Sequence, residues 1–221
     1  MRAIVFAAPG GPEVLTLGER PDPVPGPDEV LVDVKATALN RADLLQRRGL
    51  YPPPPGASDI LGLECAGVVA ACGPDTAGPA PGTRVMALLP GGGYAERVVI
   101  PARMALTIPE GTSFEEAACI PEAFLTAQEA LFTLGQVRAG DFVLVHAAAG
   151  GVGSAAVQLA REAGARVIAT AGSAEKLARV APLGAEVLID YKQQNFADVV
   201  LEATRGHGAD VVLDFVGGAY W

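Results

Sequence analysis

The sequence predicts a β-rich half followed by an open α/β half, and three observations carry that expectation. Up to about Pro109, short apolar runs are broken by Pro- and Gly-rich turns; a helix-start signal falls at Ser113; beyond Gly135, continuous apolar runs alternate with helical patterns. Short punctuated runs are the pattern of antiparallel strands with one buried face. Continuous apolar runs separated by helices are what parallel strands buried on both faces require. The expected segments are 1–112, a helical connector over 113–135, and 136–221.

The first strand is "RAIVFA"; Arg2 ahead of an apolar run imitates a signal peptide, but the run is short and stops at Pro9-Gly10-Gly11. "VLTLGE", "EVLVDVKA", "CAGVVAAC", "TRVMALL" and "YAERVVI" continue the strands of a barrel or sandwich. In "EVLVDVKA", Val30, Val32 and Val34 alternate with Leu31, Asp33 and Lys35, as one buried face demands. "NRADLLQRRG" reads as an inserted helix closed by Gly49. The loop "LYPPPPGASD" follows it, and four consecutive prolines are stiff and cannot donate to a ladder, so this loop runs over the surface or lines a cleft. "SFEE" places Ser113 and Glu116 at capping-box spacing ahead of an Ala-rich run, which starts the connector. The runs "DFVLVHAA", "ARVIATAG", "AEVLIDY" and "ADVVLDFVGG" are four strands, separated by helices at "GSAAVQLAREAG", "SAEKLARVAPLG" and "FADVVLEATRG". Right-handed crossovers make them a doubly wound parallel sheet ordered 3-2-1-4, the last strand being an apolar edge.

Composition excludes several functions. Half of the 221 residues are apolar, enough for a sizeable core, and the net charge of −9 offers no basic surface to a phosphate backbone, so nucleic acid is not expected as the main partner. No apolar segment approaches the ~18 residues of a membrane span. A cytoplasmic protein without a membrane partner is expected. Cys65, Cys72 and Cys119 form no CxxC pair and are read as reduced, buried thiols; Cys65 and Cys72 lie an odd number of positions apart on one strand and so should face opposite sides.

The most specific motif is "VLVHAAAGGVGSAAVQLA". Ala148-Ala149-Gly150-Gly151-Val152-Gly153 matches G-x-G-x-x-G with alanine first, between a strand and a helix. Small residues allow a tight turn and close approach of a pyrophosphate, Gly153 lets the helix pack closely, and the helix N-terminus offers N–H groups to phosphate. Some twenty residues on, a site preferring NAD would carry an acid at the end of the second strand, yet the chain reads Thr170-Ala171-Gly172-Ser173-Ala174-Glu175-Lys176, with Glu175 already in the next helix. A 2′-phosphate fits better: Ser173 can donate to it, Lys176 can neutralise it and Tyr191 is placed to close the site. The expected cofactor is NADPH.

These motifs, with "ALNRADLLQRRGLYPPPPGASDILGLE", "MALLPGGGYAE", "IPEAFLTA" and "TAGSAEKL", resemble the zinc-independent quinone oxidoreductase branch of the medium-chain dehydrogenase/reductase superfamily over all 221 residues. The resemblance implies a GroES-like β-barrel domain, then a Rossmann nucleotide-binding domain, with nicotinamide in the cleft between them. It implies that Asn40 and Tyr51 line the substrate pocket, that Thr126 approaches the nicotinamide, that Gly150, Gly151, Val152 and Gly153 hold the pyrophosphate, and that Gly172, Ser173, Lys176 and Tyr191 hold the adenosine phosphate. Leu45 stands where many bacterial relatives carry a second pocket tyrosine. Family members also continue past Trp221 through further strands of the sheet, return to the barrel and build a dimer interface. A truncated part of a longer, homodimeric enzyme with a Rossmann domain that is partial is therefore expected.

The implied activity is NADPH-dependent reduction of quinones. Zinc is not expected: it needs three Cys, His or carboxylate ligands, and Leu63 precedes Glu64 where a histidine would have to stand. Glu64 is then a relic of a metal corner or a residue holding loop to barrel. A quinone spreads added electrons over its ring and two oxygens and can take hydride without a Lewis acid, with Asn40 and Tyr51 orienting an oxygen and the proton coming from Tyr51 or water. Two other readings stay open: reduction of an enone or alkenal double bond, and a nucleotide-binding or structural protein of weak activity.

Overall fold

The N-terminal runs close into antiparallel ladders. In the computed structural model, which describes residues 1–218, β1 (Arg2–Val5) pairs with β2 (Thr16–Glu19) as a two-stranded ribbon. A five-stranded sheet is built from β3 (Glu29–Ala36), β4 (Glu64–Cys72), β5 (Arg84–Leu88), β6 (Arg97–Pro101) and β7 (Leu106–Thr107), in the order β6-β3-β4-β5-β7. Val30 and Val32 from β3 meet Cys65 and Val69 from β4 and Val85 from β5 in one buried cluster, the face that the alternation of "EVLVDVKA" predicts. Helix α1 (Arg41–Arg47) leaves the sheet after β3 and ends before Gly49, whose φ of +73° suits the left-handed turn that closes it.

One expectation about the cysteines is overturned by a bulge. Val32 pairs with Val69 while Leu31 pairs with Ala71, so exposed Ala70 is the extra residue on β4. The bulge resets the alternation, and Cys72 packs against the same cluster as Cys65 instead of facing away from it. Nor are all three thiols buried. Cys72 is half-buried, and Cys119 is exposed at the end of α2 (Phe114–Ala117), its Sγ 3.3 Å from the Glu115 carbonyl oxygen, because the buried face of that turn is taken by Ala117 and Ala118.

Ser113 and Glu116 form the reciprocal cap that their spacing predicts: the Glu116 N–H donates to Ser113 Oγ at 3.1 Å and the Ser113 N–H to Glu116 Oε2 at 2.8 Å. The chain divides into two units, Met1–Glu122 and the part from Ala123 onward. Helix α3 (Pro121–Gln128) runs on into π-helical residues Glu129–Leu134, with Leu131 fully buried.

In the second unit β8 (Phe142–Val145), β9 (Arg166–Ala171), β10 (Val187–Asp190) and β11 (Val211–Leu213) form a parallel sheet ordered β10-β9-β8-β11, the 3-2-1-4 arrangement. Helices α4 (Gly151–Glu162), α5 (Ala174–Val180) and α6 (Phe196–Ala203) make the crossovers. Both sheet faces are apolar: Val143, Val145, Val167 and Ala169 pack with α4, while Leu144, Ile168 and Ile189 pack with Val200 of α6. Among the described residues no helix is long and apolar enough to cross a membrane. The last three residues of the expected 136–221 segment lie outside the described residues.

Candidate functional site

The glycine turn lies at the carboxyl end of β8, where strand order reverses between β8 and β11. Ala147 adopts a φ of +49°, and the Gly150 N–H donates to its carbonyl at 2.9 Å, which makes the turn tight. The bond from Ser154 N–H to the Gly150 carbonyl at 2.8 Å opens α4, so the N–H groups of Gly151, Val152 and Gly153 have no acceptor within the helix. Glycine is required at 153: a Cβ there would collide with the Ala147 carbonyl and lie 2.7 Å from Ala148 Cα. At Gly151 a Cβ would meet nothing nearer than Ala123 at 3.9 Å, leaving room for a ligand phosphate. Ala123 belongs to α3, and Thr126, three residues on, is exposed.

Beneath the turn, His146 is 2 % exposed and its Nδ1 lies 3.0 Å from Thr170 Oγ1 of β9. Burial pushes its pKa down, opposed in part by Asp214. The pair ties β8 to β9, and β9 leads into the second part of the site. There Ser173 caps α5, accepting from the Lys176 N–H at 3.4 Å, and Lys176 is exposed. A Cβ on Gly172 would sit 2.6 Å from the Tyr191 hydroxyl and 3.3 Å from Lys192 Cε, so Gly172, Tyr191 and Lys192 converge. Glu175 is turned to Arg179 at 2.7 Å. The structure thus gathers Gly172, Ser173 and Tyr191 at one end of the sheet and adds Lys192. The signal for Lys192 was its adjacency to Tyr191, but nothing in the spacing of "IDYKQQN" shows a lysine folding back over a glycine twenty positions earlier. Backbone N–H donors, open space at Gly151 and the Lys192 cation near Gly172 fit a phosphorylated dinucleotide.

In the first unit, Asn40 is held at both ends by carboxylates. Its backbone N–H donates to Asp43 Oδ2 at 2.8 Å, and its side-chain Nδ2 donates to Glu64 Oε1 at 2.7 Å. Glu64 Oε2 accepts from the Glu122 N–H at 2.9 Å, while Asp43 also accepts from Gly62 N–H at 3.0 Å and from the Tyr94 hydroxyl at 2.9 Å. Both acids are 2 % exposed. The close approach at Gly62 permits no side chain: φ is +105° and a Cβ would lie 2.6 Å from Gly93 Cα and Tyr94 N. Burial pushes the Glu64 carboxyl above the usual range against the lowering effect of its two hydrogen bonds; burial with Asp43 pushes Tyr94 up; burial and then Glu64 push Glu122 up. Cys65, next to Glu64, is pushed up to about 12 by burial.

Asn40 itself is half-buried. Tyr51 is 45 % exposed on the proline loop, with no hydrogen-bond partner among the described residues. Leu45 is partly buried on α1. Among the described residues no three His, Cys, Asp or Glu side chains are grouped to hold a metal ion, and the oxygens of Asp43 and Glu64 accept from N–H and O–H donors.

A β-unit with a buried carboxylate corner, joined to a parallel sheet with a glycine turn at its switch point, defines the architecture of a two-domain dinucleotide-fold protein. The models of two protein families match: the alcohol dehydrogenase GroES-like domain over residues 26–110 and the zinc-binding dehydrogenase over 151–221. Solved structures similar to the chain include the quinone oxidoreductase of Pseudomonas syringae pv. Tomato DC3000, 42 % identical, covering 100 % of this chain and 68 % of that one with a TM-score of 0.91. The Escherichia coli quinone oxidoreductase complexed with NADPH is 35 % identical, with coverages of 100 % and 68 % and a TM-score of 0.89. The CurK enoyl reductase is 34 % identical, with coverages of 99 % and 68 % and a TM-score of 0.91. The chain belongs to the medium-chain dehydrogenase/reductase family. Among curated proteins it is similar to polyketide synthases such as erythronolide synthase EryA2 of Saccharopolyspora erythraea, 46 % identical over 191 residues, which are 86 % of this chain and 5 % of that protein. The chain spans about a tenth or less of the length of the curated relatives it matches.

Proposed function

We propose that the chain is the acceptor-and-cofactor part of an NADPH-dependent reductase that transfers hydride to a quinone without zinc. The observation that carries the reading is the end of β9, where no acid stands for the ribose hydroxyls, Tyr191 and Lys192 meet at Gly172, and Ser173 with Lys176 opens the helix that follows. Bound there, NADPH supplies the hydride. The N–H groups of Gly151, Val152 and Gly153 take the pyrophosphate, and Thr126 approaches the nicotinamide end. Asn40 donates to an acceptor carbonyl, and Tyr51 supplies the proton or orients the water that does. Within the family, "ALNRADLLQRRGLYPPPPGASDILGLE", "MALLPGGGYAE", "IPEAFLTA" and "TAGSAEKL" resemble the tumour-suppressor-inducible quinone oxidoreductase. With Leu45 in place of a tyrosine, the acceptor meets a more apolar wall.

A second reading, hydride addition to an enone or enoyl double bond, is favoured by the likeness to the CurK enoyl reductase. Oxidation of NADPH, followed in parallel with a quinone and with an alkenal, separates the two; faster turnover of the quinone is expected. Tyr51→Phe is expected to lower quinone turnover, and unaltered turnover and affinity would remove Tyr51 from the mechanism. NADPH binding with no turnover of either acceptor would leave a nucleotide-binding protein.

A further inference from the structure

Glu64 lies in a corner where a metal would have been sought, yet both of its carboxylate oxygens accept hydrogen bonds. One oxygen receives the Asn40 amide, the other the Glu122 N–H, and its backbone carbonyl accepts from Thr37 Oγ1 at 2.7 Å. An amide side chain has two chemically different ends, and rotating it by half a turn exchanges donor for acceptor. Against an ionised carboxylate only the Nδ2 end can face inward. Glu64 takes one of its two hydrogens, Oδ1 faces the Asp43 N–H in the capping box of α1, and the other N–H is left on a residue that is half-buried and so open to a ligand on one side. Asp43 holds the backbone N–H of the same residue, its own N–H faces the amide oxygen, and Glu64 is the partner that holds the amide nitrogen.

We propose that Glu64 is a positioning residue: through its hydrogen bond to Asn40 it sets which end of the Asn40 amide meets the acceptor. The proposal rests on the reading above that Asn40 contacts the acceptor. Ionised Glu64 presents an N–H to a carbonyl oxygen that gathers negative charge as hydride arrives. Protonated Glu64 can instead donate to Asn40 Oδ1, which turns the amide and removes the directional preference. Raised protonation at this site follows from burial, and the groups facing it are Asp43, Glu122, Tyr94 and Cys65; the Asp43 charge adds to the rise, while the Glu122 N–H and the Asn40 amide oppose it.

The test combines a spectroscopic and a kinetic readout on the whole chain. The side-chain amide resonances of Asn40 are followed by NMR as pH is lowered. They are expected to move with one protonation step in the wild type and not to move in Glu64→Gln. In steady-state kinetics Glu64→Gln is expected to lower kcat/KM for a quinone by about tenfold, the worth of one hydrogen bond to a charged group, with the NADPH dissociation constant unchanged. In an Asn40→Ala background the same substitution is expected to have no further effect. Two fully multiplicative substitutions, or Asn40 resonances that titrate alike with and without Glu64, would overturn the proposal. The wild-type titration needs no variant, so it decides the matter even if Glu64→Gln does not fold: an Asn40 amide that never responds to acid refutes it. A wild type that reduces no acceptor refutes the reading of Asn40 as an acceptor contact, while the resonances still decide whether Glu64 orients the amide.

Discussion

Glu64 is buried at a cost that depends on pH, and the sign follows from the direction of its shift. Its folded-state pKa is raised, so the folded protein holds this proton more tightly than the unfolded chain does. The stabilisation this provides is complete below the ordinary glutamate range and is lost as pH rises through the raised value. Glutamine has no proton to lose. As pH rises above the ordinary glutamate range, the urea midpoint of Glu64→Gln is therefore expected to climb relative to that of the wild type. A constant difference above that range would show that Glu64 does not titrate there. Removing its charge also relieves Glu122, which is raised partly by Glu64, and this works in the same direction. Such a network is poorly legible in sequence. "LGLE" shows an acid between glycines, but that the Asn40 amide and the Glu122 N–H converge on it depends on chain segments 24 and 58 residues away, and no local spacing encodes that.

At the scale of elements, caps and periodicity were readable, and the surprises came from tertiary pairing. Ser113 and Glu116 announced the start of α2, and the strand order of the parallel sheet followed from alternation and handedness. The bulge at Ala70 did not, because an extra residue in one strand is defined by its partner, here β3. Helix α6 shows the readable kind. Its Asn195 cap accepts from the Ala197 N–H at 3.0 Å, and at the other end Thr204 Oγ1 donates to the Val200 carbonyl and accepts from the Gly208 N–H, both at 2.8 Å. The helix spans only eight residues, and Val200 is its buried contact with Leu144, Ile168 and Ile189. Asn195→Ala is expected to cost about 1 kcal/mol, seen as a lower urea midpoint at unchanged slope. A loss below a few tenths of that would mean that apolar packing and the Thr204 bonds hold the helix without the cap.

Over the whole molecule, the two units carry separate apolar cores, one around Val32 and Val69, the other on the two faces of the parallel sheet. Chains built this way need not unfold in one step. Every residue proposed to hold the cofactor, from Thr126 through Gly153 to Tyr191, lies in the second unit, whereas Asn40 and Tyr51 lie in the first. A ligand stabilises only what it binds, by about 2.7 kcal/mol at a concentration a hundred times its dissociation constant. In calorimetry NADPH is therefore expected to raise the transition of the second unit and to leave the other nearly in place. NADH should do so less at equal concentration, since it lacks the 2′-phosphate that Lys176 and Lys192 would meet. Lys176→Ala is expected to weaken NADPH about tenfold and NADH little, read by titration of cofactor fluorescence. Equal losses for both cofactors would move the discrimination away from Lys176 and leave Lys192, the cation that only the fold brought to Gly172, as the group to replace next.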